Sequence, residues 1–322
     1  MSRNALIVGL GQIGMGYDMA LVAETFVYSH ARALSLSPEF NLVAAVDPGA
    51  EERAAFEASY HVSAYDNLEQ ALAQHAPDLV VIASPTATHY GLVRQLLAFA
   101  KPKVVLCEKP LSYSLDESRE MLALCAEKNV QLYVNYMRRS EPGAMEIKRR
   151  IDSGEIRGPL KGVVWYSKGF LHNGSHFFNL LELWLGAVRD FTLIDAGRSL
   201  DGGDAEPDVQ VVFEQGKMTF LAARDENFSH NMIELIAANG RLRYENGGRY
   251  IEWRAAETDK NLKCYTFLAA TPEVVPSDLN RYQGYVVEQL ANAFKGVKAN
   301  LCDGSQGLKT LEAMHSILKS RT

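Results

Sequence analysis

The order of strand and helix patterns along these 322 residues predicts an α/β protein in two parts. An N-terminal doubly wound parallel sheet occupies residues 1–137, and an α/β domain on a mostly antiparallel sheet occupies residues 138–322. Three observations predict this. Up to about Asn135, short apolar β-branched runs alternate with longer helical patterns, as in a parallel sheet covered by helices. After Arg139 strand patterns succeed one another with turn signals between them, such as Asn239-Gly240 and Asn246-Gly247-Gly248. The length exceeds the ~100–200 residues of one ordinary domain.

In the first half the apolar runs Ala5–Val8, Leu42–Val46, Leu79–Ala83, Val104–Cys107 and Val130–Val134 read as strands buried on both faces. The stretches Glu51–Tyr60, Leu68–His75, Thr88–Ala100 and Leu115–Asn129 read as helices. Ser114 is placed to cap the last of these, with Glu117 three residues on. In the second half Glu146–Asp152 reads as a helix, and Leu160–Ser167, Asp208–Phe213, Lys217–Ala222, Met232–Ala237, Arg241–Glu245 and Tyr250–Trp253 as strands. The run Gly202-Gly203-Asp204-Ala205-Glu206-Pro207 reads as a surface loop, and Tyr282–Phe294 and Gln306–Leu318 as terminal helices. The chain shows no internal repeat or low-complexity segment.

Composition narrows the function. Hydrophobic residues make up 47% and charged residues 22%, as in ordinary globular proteins. With 39 acidic and 33 basic residues the net charge is −6, and no basic tract follows a phosphate backbone, so nucleic acid is not an expected partner. No apolar stretch approaches the ~18 residues of a membrane span, and no leader pattern precedes the first strand, so the expected location is the cytoplasm. Cys107, Cys125, Cys264 and Cys302 have no zinc-site spacing and read as free thiols.

The strongest local signal is Gly9-Leu10-Gly11-Gln12-Ile13-Gly14 directly behind the first strand. Gly9 permits a sharp turn, Gly11 removes a side chain from the path of a pyrophosphate, and Gly14 lets helix and strand approach closely. Alone, the triplet also fits a plain βα turn. The second strand, however, ends in Asp47, a carboxylate suited to an adenosine ribose, and the pair reads as a dinucleotide site. Asp47 would repel a 2′-phosphate and Pro48 offers it nothing, so NAD is expected over NADP, with Arg53 the residue that could reverse this. Gly9 to Asp47 spans 38 positions, against an acid ~20 residues on in the usual unit, so an insertion lies around Met15–His30. Its Gly16-Tyr17-Asp18 carries a phenol and a carboxylate, and reads either as a lid or substrate contact or as a solvated loop.

Two further segments sit at strand ends on the same edge: Ser84-Pro85-Thr86-Ala87-Thr88-His89 and Glu108-Lys109-Pro110. The Lys109 ammonium, beside a nicotinamide, would hydrogen-bond the substrate oxygen and favour the alkoxide as hydride leaves. In isolation the tripeptide reads rather as a surface lysine. Pro110 fixes the turn, with a cis bond as one option.

Together these three motifs resemble the glucose-fructose oxidoreductase, inositol dehydrogenase and rhizopine-catabolism (Gfo/Idh/MocA) family along essentially the whole chain. The resemblance implies a Rossmann domain joined to an α/β domain with a large open sheet that packs against another copy, giving a homodimer or homotetramer. It implies NAD(P)-dependent oxidation or reduction of a sugar, polyol or nucleotide sugar. Gly9, Gly11, Gln12, Ile13, Gly14, Asp47, Ser84, Pro85, Thr86, His89, Glu108 and Lys109 are then the cofactor-binding set. Lys109 is the group at the hydride-transfer centre.

The family carries an aspartate four residues before a histidine at the start of a second-domain helix. Here His176 matches the histidine and His172 stands in place of the aspartate, so His176 is the expected acid–base group with His172 assisting. A capping or merely polar histidine is the alternative. Asn179 replaces another frequent aspartate and points to an altered pocket. Arg139, Lys168, Asn173, Asn179 and Tyr17 are the candidate substrate contacts. The spacing of His172 and His176 suits a metal on a helix, but Gly174 intervenes and no adjacent glutamate is present, so no metal is expected. Two rival functions stay open: a redox-neutral NAD-dependent glycosidase, and a dinucleotide-binding regulator without catalysis.

Overall fold

The computed structural model describes residues 2–200, 203–223 and 228–321. In chain order the first elements are β1 (Arg3–Val8), α1 (His30–Leu36), β2 (Phe40–Val46), α2 (Ala50–Tyr60), β3 (Ala64–Tyr65), α3 (Leu68–Gln74), β4 (Leu79–Ile82), α4 (Thr86–Phe99), β5 (Val104–Cys107), α5 (Leu115–Glu127) and β6 (Gln131–Val134). There follow α6 (Pro142–Asp152), β7 (Leu160–Tyr166), α7 (Ser175–Leu185), β8 (Val188–Asp195), β9 (Asp208–Phe213), β10 (Gly216–Ala222), β11 (Met232–Ala237), β12 (Gly240–Glu245), β13 (Tyr250–Thr258), β14 (Thr266–Leu268) and β15 (Glu273–Val275). The chain ends in α8 (Tyr282–Phe294), β16 (Cys302–Asp303) and α9 (Gly304–Lys319).

Contacts divide the chain into two compact units, Met1–Ser140 with Asn280–Lys309, and Glu141–Leu279 with Thr310–Thr322. A single boundary near residue 137 does not anticipate the return of Asn280–Lys309 to the first unit.

The first unit holds a sheet of order β16-β6-β5-β4-β1-β2-β3, parallel except for β16. Strand order reverses at β1, between β2 and β4, and ligands of doubly wound sheets bind at that point. Successive β1 side chains enter different cores: Ala5 and Ile7 pack with Ala31, Leu34, Phe56 and Leu290, whereas Leu6 and Val8 pack with Leu68, Leu96 and Met121. Each fully buried side chain of this kind contributes roughly 1.5–3 kcal/mol. Ser114 caps α5 as expected, accepting from the Glu117 amide.

The second unit holds a sheet running β14-β13-β12-β11-β7-β10-β9-β8, with β15 on β13. All its pairs are antiparallel except β7–β10. Its core faces α6, α7 and the end of α9, where Trp184 donates to the Ala144 carbonyl at 3.0 Å.

The structure differs from the sequence expectations in three places. The glycine turn does not run straight into a helix: after one turn the segment Met15–Ser29 loops out, and the His30 and Ala31 amides bond the Ile13 and Gly14 carbonyls at 3.0 and 2.9 Å. Helix α1 thus resumes the interrupted turn. Residues 203–207 are not a surface loop, because Ala205 and Glu206 are buried and Asp204 accepts the Leu171 and His172 amides; Asp201 and Gly202 lie outside the described residues. Strand β8 was not read from the sequence, since this edge strand is mostly exposed, whereas α7 starts beside His176 where the resemblance implies a helix.

Candidate functional site

At the carboxyl ends of β1, β2 and β4 a cleft of about 860 Å³ opens in the first unit. Gly9, Gly11, Gln12 and Ile13 line one side, Asp47 and Glu52 another, and Ser84, Pro85 and Thr88 a third. Gly9 has φ +101°, and a Cβ there would stand 2.6 Å from the Ser84 amide. A Cβ on Gly14 would meet the Gly9 carbonyl at 2.1 Å. A Cβ on Gly11 would meet nothing within 4 Å, so that glycine serves open space over the cleft.

Asp47 accepts the Leu10 amide at 2.7 Å through one oxygen and the Gly49 amide at 2.8 Å through the other. Each oxygen keeps a second lone pair for a ribose hydroxyl. Arg53 donates to the Asp47 and Pro48 carbonyls, at 2.8 Å each. An open floor beside glycines, two carboxylates at one end and a largely apolar wall fit a dinucleotide.

Other expected cofactor residues stand behind the cleft. His89 is fully buried, with Nε2 2.9 Å from the Ser84 carbonyl and Nδ1 3.1 and 3.2 Å from those of Pro110 and Leu111. It ties the two motif loops together. Gly14 is packed against the turn, and Thr86 begins α4.

Glu108 follows β5, and half-buried Lys109 follows it with a cis bond to Pro110. The Glu108 Oε1 lies 2.8 Å from His30 Nε2 and 2.7 Å from Asn135 Nδ2, which also donates to Gln283 Oε1 at 3.2 Å. Burial pushes the Glu108 carboxyl up, but the His30 hydrogen bond and charge, the Asn135 amide and the Lys109 charge outweigh it and hold the group below the ordinary carboxylate value. Burial and the Glu108 charge raise the Tyr282 phenol on α8. Asn135 Oδ1 is buried without a partner, and flipping the amide would set oxygen against the carboxylate. An unmet acceptor of this kind costs ~1–3 kcal/mol, which a donor on a ligand would recover.

His30, Asn135 and Gln283 are absent from the motifs read in the sequence. Asn135, with Tyr136, reads in the sequence as the end of a strand beside the expected nicotinamide position with no assigned role, and His30 lies behind the insertion. Tyr17 lines the cleft and is 54% exposed. Asp18 is instead fully buried, accepting the Tyr28 and Ser29 amides and the Ser29 hydroxyl, with Arg32 Nε 3.7 Å away. It anchors the insertion, so of the two candidate groups only the phenol reaches the cleft. Arg139 is buried at the end of the unit's first segment.

In the second unit Lys168 is exposed at φ +65° and leads into a π-type turn, Gly169–Gly174, a distortion common at functional sites. Asp204 holds this turn through the Leu171 and His172 amides. His172 is exposed, Asn173 half-buried, and His176 on the first turn of α7 is 9% exposed. Asn179 is fully buried and donates to Thr310 at 2.9 Å, while Thr310 donates to Glu182. That amide braces α7.

The model of the NAD-binding Rossmann-fold oxidoreductase family, Gfo/Idh/MocA, matches residues 3–136. The chain is similar to scyllo-inositol 2-dehydrogenase (NAD(+)) of Bacillus subtilis, 35% identical over 51% of this chain and 43% of that protein. It is 34% identical to an inositol 2-dehydrogenase of Rhizobium meliloti over 67% of this chain and 72% of that protein. The match thus spans under half the length of the Bacillus relative but most of the Rhizobium one. The WlbA dehydrogenase of Bordetella pertussis, solved with NADH and UDP-GlcNAcA, shares the fold at a TM-score of 0.75 and 18% identity, over 100% of this chain and 98% of that one.

Proposed function

Because the chain belongs to the Gfo/Idh/MocA family of NAD-binding oxidoreductases, we propose that it oxidises or reduces a carbinol carbon of a cyclic polyol, a sugar or a nucleotide sugar, with NAD as partner. The observation that carries this is the glycine-floored cleft at the β1 and β4 ends, with the Glu108-Lys109-Pro110 turn at the end of neighbouring β5. When bound, the nicotinamide supplies or accepts the hydride. The Lys109 ammonium donates a hydrogen bond to the reacting oxygen and stabilises its developing negative charge. His176 takes the hydroxyl proton in oxidation and returns it in reduction, with His172 assisting. Tyr17, Arg139, Lys168 and Asn173 remain the proposed substrate contacts, whereas Asn179 is spent on Thr310.

NAD is preferred over NADP because Asp47 and Glu52 line one end of the cleft and would repel a 2′-phosphate. Arg53 spends one terminal nitrogen on the Asp47 and Pro48 carbonyls. Asp47→Ala should therefore narrow the ratio of NADP to NAD dissociation constants, read by titration of each nucleotide. A homodimer or homotetramer is proposed from the second sheet, which leaves Ile194 on edge strand β8 exposed, and Ile236 on β11 exposed opposite Arg241. Light scattering at micromolar concentration tests it, and a strictly monomeric mass refutes it.

The activity is tested by incubating the protein with NAD and a panel of inositols, sugars and nucleotide sugars while following reduced nicotinamide by absorbance. Turnover should fall about 10²-fold or more in Lys109→Ala. No turnover on the panel, or turnover indifferent to Lys109→Ala, removes the assignment.

A further inference from the structure

His30 begins α1 and its side chain is only 1% exposed. Its backbone is pinned on both sides, by its own amide on the Ile13 carbonyl and by the preceding Ser29 amide and hydroxyl on buried Asp18. The ring therefore presents Nε2 to Glu108 in one orientation. A carboxylate only accepts, so Nε2 carries the hydrogen in that contact. Asn135, fixed against the same oxygen at 2.7 Å, supplies a second donor from the end of β6. With Oε1 clamped from two elements, the carboxylate plane is set, and Oε2 accepts the Lys109 amide at 3.3 Å. The titratable groups facing Glu108 are His30 on α1, Lys109 beside it, the Cys107 thiol on β5 and the Tyr282 phenol on α8.

Packing alone does not account for this arrangement. A carboxylate buried among His30, Asn135 and Gln283 carries a desolvation cost that an apolar side chain of similar volume would avoid, and pairs of this kind are often replaceable without loss of stability. What an apolar residue would not do is hold the next amide at a fixed angle. We propose that His30 is a positioning residue, which through Glu108 fixes the Lys109 backbone and so aims the Lys109 ammonium. This rests on the reading that Lys109 acts on the substrate oxygen. The inserted segment Met15–Ser29 then has a second consequence: Asp18 locks the start of α1, and with it His30, while the loop departs.

The test compares His30→Ala with His30→Gln, whose side-chain amide restores an N–H near the Nε2 position. The environment of Lys109 is read directly from the reductively ¹³C-methylated protein, with its resonance assigned by its absence in Lys109→Arg. In His30→Ala the Lys109 methyl signal should move, and in His30→Gln it should return towards the wild-type position. On a substrate from the panel, His30→Ala should lower kcat about tenfold or more with the NAD dissociation constant within about twofold, and His30→Gln should recover most of that loss. An unchanged Lys109 signal in His30→Ala, or equal losses in both variants, overturns the proposal. Absence of any wild-type turnover would instead defeat the oxidoreductase reading, while the methyl signal still decides the role of His30.

Discussion

Two glycines of the first turn do different physical work, and substitution separates them. Gly9 has a left-handed φ, and a Cβ added to it would stand within 2.7 Å of backbone atoms of Ala83 and Ser84, so Gly9→Ala strains the turn itself. Thermal denaturation should show a loss of about 1–3 kcal/mol. Gly11 meets nothing, so Gly11→Val should leave the melting temperature near wild type while weakening NAD binding about tenfold or more, as read by calorimetry. If Gly11→Val instead unfolds the protein and binds NAD normally after refolding, the cleft is misassigned. Cysteines give a second check: burial and the Glu108 charge raise the Cys107 thiol, burial raises Cys125 to about 11, and Cys302 is buried, whereas Cys264 is exposed. A thiol reagent should therefore label Cys264 rapidly in the native protein and the other three only on unfolding. At this scale Gly9, Gly11 and Asp47, which line the cleft, were legible, the glycines through their close spacing and Asp47 through its place at the end of the second strand. His30 and Gln283 were not, and Asn135 was only a strand end beside the expected nicotinamide, since His30 and Asn135 meet Glu108, and Gln283 meets both of them, from separate segments.

Among elements, the looped-out Met15–Ser29 segment explains the long spacing of the nucleotide motif. Without those fifteen residues Asp47 stands 23 positions after Gly9, close to the ~20 of the usual unit. Sequence spacing thus revealed the insertion but not its anchor, because a loop carboxylate looks the same whether solvated or buried. Asp18→Ala would leave the Tyr28 and Ser29 amides and the Ser29 hydroxyl without their acceptor and the Arg32 guanidinium without its nearby carboxylate, costing about 3–5 kcal/mol in denaturant titration. Asp18→Asn, retaining one oxygen, should lose less. Helix α9 carries a pH-dependent counterpart. Burial, with the Lys319 charge, lowers the His315 imidazole below its ordinary value against a weaker pull from Asp204, and its Nε2 has no partner. The folded state thus binds fewer protons than the unfolded one as pH falls below ~6.5, so this contribution is complete above that value and lost through the depressed pKa. His315→Leu should flatten the fall in melting temperature between about pH 6.5 and 5. An unchanged slope would show that His315 does not titrate with folding.

At the scale of the whole molecule, the strand and helix order predicted both sheets correctly in kind, yet not the path of the chain between them. Periodicity reports which face of an element is apolar, but not which core receives it. Helix α8 follows the antiparallel strands in sequence, and its Val286, Val287, Leu290 and Ala291 nevertheless pack against the first sheet with Ala5, Ile7 and Phe40. Strand β16 then extends that sheet at β6, through Cys302 opposite Val134. A fragment ending at Ser140 would keep every motif glycine, Asp47 and Lys109, but would expose the surface these residues cover. At roughly 1.5–3 kcal/mol for each large apolar side chain, the loss of Val286, Val287 and Leu290 rivals the ~5–15 kcal/mol by which domains of this size are stable. Residues 1–140 should therefore unfold or form a loosely packed state with shallow, non-cooperative melting and no NAD binding. Adding residues 280–309 through a flexible linker should restore a cooperative transition in circular dichroism. A fragment 1–140 that melts sharply on its own would show instead that α8 and β16 are accessories to a core already complete before them.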